Sequence, residues 1–487
     1  MVIVGLGKAL HDSSIAVYDN GKIRYAKYER EVSLKHGTAY EAWYYSKLVK
    51  WGIDLDNIDT VVETDGCLFG DNNKEFRRAP LNGEPFYKVD RIWKDQFVLD
   101  HHLAHAWSNL NFNVDSQCVV IDGRGSDNHM MLVSSDGKTY RSQSASPGNL
   151  LGRVGAYMDL DGFYLDFPGK VMGLAPYGKV DRHVYNEYKD TVPNSFYTIR
   201  DGWIPTFKDR TPENEEFLSC VATVNELAYK VVKDIFSLAN PEKPIVYSGG
   251  CALNVDWNRR LLDEGYDLSI EPPAYDGGLS LGCLRFGLAD KGIEADFTNY
   301  PYIQDDEAPD QRPSQDTVDK VAELLAQGKI VGWYQGHGEV GPRALGNRSI
   351  LMNPTIENGK DIINSKVKHR EWYRPFGASV KQDKAHEYFD LDNSPYMLYT
   401  STVLKDLPSI THVDKTCRHQ TVTPEQNEDY YALLDAFEKK TGIPVLLNTS
   451  LNLGGRPIAG KIEEAIELLN TTDMDALCVG DTLYMSP

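Results

Sequence analysis

The 487 positions contain no run of eighteen apolar residues, so no membrane-spanning helix is expected. The opening stretch "MVIVGLGKALHDSS" lacks the basic start and long apolar run of a secretory signal, and a cytoplasmic protein is therefore expected. Cysteine is sparse. The seven residues (67, 118, 220, 251, 283, 417 and 478) are scattered, odd in number and without a C-x-x-C pair, which argues against a disulfide scaffold or a cysteine-based zinc framework. Positive charge is also in deficit: 51 Lys and Arg against 71 Asp and Glu leave a formal charge of -20. Binding along intact nucleic acid depends on clustered cations and is disfavoured by this balance, whereas a local basic pocket is compatible with it.

What is present suggests two domains, since the length exceeds what one core usually organises. "VIVGLGK" reads as a strand, and "SSIAVYDNGKIRYAKYE" as a hairpin turning at Asn20-Gly21. "QCVVIDGRGSDNHMMLVSSDGKTYRS" repeats the plan a hundred residues later, with a strand ending at Asp122 and a hairpin turning at Asp136-Gly137. Two such starts in one chain are the trace of a duplicated RNase H-like fold of the actin and sugar-kinase type. The stretch 299–316, polar and bearing prolines, reads as a linker, which gives domains at 1–300 and 301–487. The second domain begins with a helix, "TVDKVAELLAQGK", and a strand, "IVGWYQG", and its pattern is mixed α/β.

Three histidines, His101, His102 and His105, fall within five positions of "FVLDHHLAHAWSNL". On a helix, His101 and His105 stand one turn apart on one face and suit a shared metal ion, while His102 points elsewhere. The zinc-protease motif H-E-x-x-H is excluded, because His102 occupies the place of its glutamate.

Further polar motifs follow in order: "KALHDSS", "HHLAH", "IDGRG", "KVMGLAPYG", "SGGCALN", "AYDGG", "GPRALGNRSIL", "VKHREWYRPF" and "LNTSLN". This succession closely resembles the O-carbamoyltransferase family, which includes nodulation-factor, cephalosporin, aminoglycoside and ansamycin carbamoyltransferases. The resemblance spans roughly residues 1–180, 244–285 and 330–480. It implies a Kae1-like N-terminal domain followed by a YrdC-like C-terminal domain. The activity it implies has two steps. Carbamoyl phosphate and ATP, the latter as its Mg2+ complex, give carbamoyladenylate in the second domain, and the first domain passes the carbamoyl group to an acceptor hydroxyl.

Residues matching the family's positions then take expected roles. Arg343, Arg348, Lys368, Arg370, Ser450 and Asn452 would bind carbamoyl phosphate and adenylate, Arg through forked contacts and Lys as a point charge; Lys368 and Arg370 would act in adenylate formation. His101, His105, Asp122 and Asp276 would hold a divalent ion, with iron expected and zinc or manganese as alternatives. His11 would be the general base toward the acceptor. Gly123, Gly249, Gly250 and Asn254 would cradle the nucleotide. Lys170 and Gly173 match the family without a role that chemistry assigns.

Ser126 departs from the acidic residue usual in the family after "DGRG", and leaves Asp127 one position late. Acceptor choice is expected to reside around 68–95 and 182–243. The implied acceptors are small molecules or hydroxymethylated pyrimidine nucleotides. Three rival readings explain less. A sugar-kinase-like phosphotransferase leaves the C-terminal motifs without purpose. A hydrogenase-maturation carbamoyltransferase would carry paired C-x-x-C motifs. A tRNA threonylcarbamoyl-type enzyme would show a basic surface. A non-enzymatic nucleotide sensor is compatible with the same motifs, and differs in releasing no AMP with both substrates and an acceptor present.

Overall fold

Both Asn20-Gly21 and Asp136-Gly137 take positive φ at each central position (46° and 96°, 48° and 73°), the backbone that a two-residue hairpin turn of this hand demands. The computed structural model describes residues 1–64, 77–81, 84–88, 95–144, 146–160 and 162–486. The chain divides into two units: Met1–Tyr28 with His36–Asp296, and Glu29–Lys35 with Phe297–Pro487. The short segment Glu29–Lys35 thus belongs to the second unit although its flanks on both sides belong to the first, which nothing in its composition announces.

Among the described residues the first unit holds two sheets. One contains β1 (Val2–Gly7), β2 (Ser14–Asp19), β3 (Lys22–Lys27), β4 (Thr60–Thr64), β5 (Arg77–Leu81), β6 (Glu84–Lys88) and β7 (Asp95–Leu99), in spatial order 3-2-1-4-7-6-5. The other contains β8 (Gln117–Ile121), β9 (Met131–Ser135), β10 (Lys138–Ser142), β11 (Ile245–Ser248) and β12 (Leu268–Ser269), in order 10-9-8-11-12. In each, the first strand pairs antiparallel with a hairpin and parallel with the next crossover strand. The five-strand plan 3-2-1-4-7 therefore recurs as 10-9-8-11-12, and the unit is a duplicated RNase H-like fold. The expected specificity segment around 68–95 lies mostly outside the described residues. The region 182–243 is largely helical, dominated by the helix Glu215–Phe236.

The helix Leu279–Asp290 lies against both β1 and the helix His101–Trp107. Gly282 permits this: a Cβ there would stand 1.9 Å from the Ala104 carbonyl oxygen, closer than any atoms can pack. The contact brings the start of one helix, next to Asp276, beside the histidine face of the other.

The second unit is built on eight strands: β13 (Val331–Tyr334), β14 (Arg348–Met352), β15 (Gly377–Lys381), β16 (Ser401–Thr402), β17 (Thr416–Val422), β18 (Val445–Ser450), β19 (Ala476–Val479) and β20 (Thr482–Met485), ordered 16-17-15-18-14-13-19-20. Alternation along β13 and β14 divides their side chains between two cores. Tyr334, Ile350 and Met352 enter one cluster, and Val331, Trp333 and Leu351 enter the other. Side chains alternate across a strand, so this sheet is covered on both faces. Among the described residues, no helix is long and apolar enough to cross a membrane.

Candidate functional site

In the first unit, Asp100 caps the helix His101–Trp107 by accepting from the Leu103 amide at 3.0 Å and pairs with Arg141 at 3.1 Å. Ser126 Oγ accepts from the His101 amide at 3.0 Å. The residue that departs from the family pattern thus secures the helix start, while Asp127 is exposed. One turn separates His101 from His105, and their Nε2 atoms lie 3.2 Å apart. Asp122, following β8, brings Oδ2 within 3.1 Å of His101 Nε2 and 3.4 Å of His105 Nε2. Asp276 Oδ1 lies 3.4 Å and 3.2 Å from the same two nitrogens. All four side chains are buried.

These distances can be tested against a metal. Four donors about 2.0–2.1 Å from a tetrahedral ion stand roughly 3.3–3.4 Å from one another, and the observed separations of 3.1–3.4 Å match. Charge agrees as well, because two buried carboxylates with two neutral imidazoles call for a divalent cation. Without one, burial holds the His105 pKa down, but Asp122 and Asp276 outweigh it and raise the value. The residues fit the expected ion.

The supporting groups were less visible in sequence. His102 is fully buried, and neither ring nitrogen has a hydrogen-bond partner among the described residues; burial chiefly pushes its pKa down to about 3. Gly125 closes over it. A Cβ at Gly125 would lie 2.2 Å from His102 Cε1 and 3.1 Å from His101 Cδ2. Gly125→Ala is therefore expected to destabilise the protein by roughly 1–3 kcal/mol and to weaken metal retention. Thermal unfolding and elemental analysis of the variant check both effects.

Of the residues expected at the nucleotide, Gly250 donates its amide to Asp122 Oδ1 at 2.9 Å and so orients a candidate metal ligand. Gly249, at φ 90°, packs against the Ile121 carbonyl, where a Cβ would clash at 2.3 Å. Asn254 caps the helix Val255–Asp263 through the Trp257 amide, and the Gly123 carbonyl accepts from Asn149 at 3.0 Å. Lys170 and Gly173 are buried on the helix Phe167–Leu174. His11 stands at the cluster's edge, Nε2 3.6 Å from Asp276 Oδ2. Burial lowers its pKa, but Asp276 and Asp12 outweigh burial and raise it.

In the second unit, Lys368 is the centre. Its Nζ donates to the carbonyls of Ser450 (2.8 Å) and Asn452 (2.9 Å), to Asn452 Oδ1 (2.6 Å) and, at 3.3 Å, to Ser450 Oγ. Burial holds its pKa well below the usual lysine range, and Arg370, Arg374 and Lys35 add to the effect. Arg343 and Arg370 are depressed likewise by burial and by Arg374 and Arg418. Arg418 falls to about 10, mainly through burial. Cations crowded together in this way are relieved by an incoming anion. Arg374 lies inside "VKHREWYRPF", where nothing but its place beside Lys368 and Arg370 distinguishes it, and Arg418 and Lys35 lie outside the recognised motifs.

Arg348, expected at the anion, is tied into its own loop. Its guanidinium is fully buried and donates to the carbonyls of Gln335, Asn347, Glu307 and Gly336, over the Tyr334 ring at 3.6 Å. Its terminal nitrogens donate to backbone carbonyls and hold the loop together. The same loop wraps the buried carboxylate of Glu339, which accepts from the amides of Leu345, Asn347 and Arg348 and leaves Arg343 partly exposed beside Arg374 and Arg418.

A duplicated RNase H-like unit with a His2Asp2 cluster, followed in one chain by a mixed α/β unit with crowded cations, defines a protein of the actin and sugar-kinase superfold with a second polar centre of its own. The Carbamoyltransferase C-terminus family matches residues 322–486. Nodulation protein NolO of Bradyrhizobium diazoefficiens is 32% identical over 79% of this chain and 78% of that protein. Nodulation protein NolNO of Sinorhizobium fredii is 33% identical over 79% of this chain, which spans 63% of that relative's length. The 3'-hydroxymethylcephem-O-carbamoyltransferase of Streptomyces clavuligerus is 30% identical over 66% of this chain and 65% of that enzyme. The chain belongs to the O-carbamoyltransferase family.

Proposed function

We propose that the protein is an ATP-dependent O-carbamoyltransferase that forms carbamoyladenylate from carbamoyl phosphate and ATP in its C-terminal unit and transfers the carbamoyl group in its N-terminal unit. The acceptor is a hydroxyl of a small molecule or of a hydroxymethylated pyrimidine nucleotide. The observation that carries the reading is the cation cluster around Lys368, Arg343 and Arg370, in a chain of this family that also holds the His101, His105, Asp122 and Asp276 group.

Adenylate formation brings two anionic substrates together. Water hydrolyses carbamoyl phosphate to carbamate and inorganic phosphate; a carbamate oxygen then bonds to the α-phosphorus of ATP as the bond from that phosphorus to pyrophosphate breaks. Lys368, Arg343 and Arg370, with Arg374 and Arg418, neutralise the crowded oxygens, and Ser450 and Asn452 hold Lys368 in place. In transfer, the acceptor oxygen bonds to the carbamoyl carbon, the bond from that carbon to the phosphate oxygen breaks, and AMP leaves. His11 Nε2 takes the hydroxyl proton. His101, His105, Asp122 and Asp276 would hold a divalent ion, iron first among iron, zinc and manganese, whose Lewis acidity serves an adenylate phosphate oxygen.

The test separates the two steps. Pyrophosphate release from ATP should depend on carbamoyl phosphate, and AMP release should rise when an acceptor from a panel of 3'-hydroxymethylcephem, a chitin oligosaccharide and 5-hydroxymethyldeoxycytidine monophosphate is added. His11→Asn should leave pyrophosphate release intact and lower transfer by roughly 10²–10⁴-fold. Equal loss of both steps in that variant would end the division of labour.

A further inference from the structure

Behind His11 runs a line of side chains that this chemistry does not use. His11 Nδ1 is 2.8 Å from Asp12 Oδ2, the same oxygen is 2.9 Å from His36 Nδ1, and His36 Nε2 is 3.3 Å from Asp166 Oδ1. Asp12 is buried, and its other oxygen has no hydrogen-bond partner among the described residues. The line is held from both sides. The Ser13 amide donates to the Gly37 carbonyl (3.2 Å), the Ala39 amide donates to Ser13 Oγ (2.9 Å), and Thr38 Oγ1 donates to the Leu10 carbonyl. Phe163 stacks on the His36 ring, centroids 5.2 Å apart. Asp12 and His36 both take left-handed backbone, φ 55° and 57°, which side-chain-bearing residues adopt seldom and at a cost.

Burial lowers the His36 pKa, but hydrogen bonds to Asp12 and Asp166 outweigh it and raise the value to about 9. His36 is then a cation between two carboxylates. Burial alone would push the Asp12 carboxyl up toward its neutral form; His11 and His36 together pull it down. An ionised Asp12 can only accept, so it requires the proton of His11 on Nδ1 and leaves Nε2 bare. A protonated Asp12 would donate instead, and the His11 proton would move to Nε2, the atom that has to receive one.

We infer that Asp12 and His36 form a positioning pair that fixes His11 in the tautomer with Nδ1 protonated and Nε2 free. The inference rests on His11 being the base proposed above. It assigns a role to His36, a residue in "LKHGT" with no motif of its own, and explains why a loop 25 residues downstream is tied to the His11 loop.

The test reads the tautomer directly, through nitrogen-15 NMR of histidine-labelled protein with the His11 signal assigned by its loss in His11→Asn. Wild type should show Nδ1 protonated. His36→Phe keeps a ring against Phe163 but donates nothing, and should move the His11 proton to Nε2. It should also lower the transfer kcat by roughly 10-fold or more, with acceptor KM and pyrophosphate release unchanged, for whichever panel acceptor reacts. His36→Asn tolerates left-handed backbone and still offers an N–H to Asp12, and should restore both the tautomer and the rate. Asp12→Asn gives a second route to the same tautomer shift should the phenylalanine variant not fold. An unchanged His11 tautomer in His36→Phe and Asp12→Asn overturns the inference. A shifted tautomer with undiminished transfer upholds the positioning and instead removes His11 from the base role.

Discussion

Lys368→Ala is expected to reduce carbamoyl-phosphate-dependent pyrophosphate release by roughly 10²–10³-fold, the loss typical when one fixed electrostatic donor is removed from a site of developing charge. The ammonium is the hub of its surroundings: it bridges the carbonyls of Ser450 and Asn452 and the Asn452 side chain. Truncation removes a charge and leaves those oxygens pointing into the space it filled. Lys368→Arg should not restore activity, because a planar fork cannot occupy the point between carbonyls that an ammonium fills. Ser450→Ala should lose less, since its hydroxyl contact to Lys368 is the longest of the set at 3.3 Å. Steady-state assay of pyrophosphate decides the matter, and release at the wild-type rate from Lys368→Ala would exclude this lysine from adenylate chemistry.

The double change His101→Ala, His105→Ala should remove the metal altogether. Purified wild type is expected to carry close to one divalent ion per chain. Alteration of groups that merely support metal ligands already weakens binding about 10–100-fold, and here two of four donors disappear. The variant should retain almost none after dialysis, measured by elemental analysis, and should melt at a lower temperature than wild type, because an ion that binds only the folded state stabilises it. Asp122 and Asp276 would then face each other with no cation between them. Metal retained at the wild-type level in this variant would place the ion elsewhere in the molecule.

Sequence alone reached those parts of the structure that local chemistry dictates. The Asn20-Gly21 and Asp136-Gly137 turns announce their hairpins, because few other residue pairs accept positive φ twice in succession. The spacing of His101 and His105 announces a shared face. What it missed depends on approach from a distance. Gly125 reads as one more turn glycine until the His102 ring is seen against it. Glu339 looks like a solvated acid, yet it organises the loop bearing Arg343. Arg348 sits in a basic motif, and its cage of carbonyls is formed by segments that no short pattern links. His36 and Arg418 likewise gain meaning only from neighbours far along the chain.

The assignment of Glu29–Lys35 to the second unit has a consequence for biosynthesis. Positions 36–296 are made between that segment and the rest of its unit, so at 5–20 residues per second it waits about 13–50 s on the ribosome before the first of its partners is made. Among them are Asp306 and the Ile458 carbonyl, the buried partners of Arg30. By the end of that interval the N-terminal unit has the strands from β1 to β12, while seven residues near its start remain uncommitted. A nascent chain halted near residue 300 should therefore present Glu29 and Arg30 to proteases and chaperones, and the finished chain, in which both are buried, should protect them.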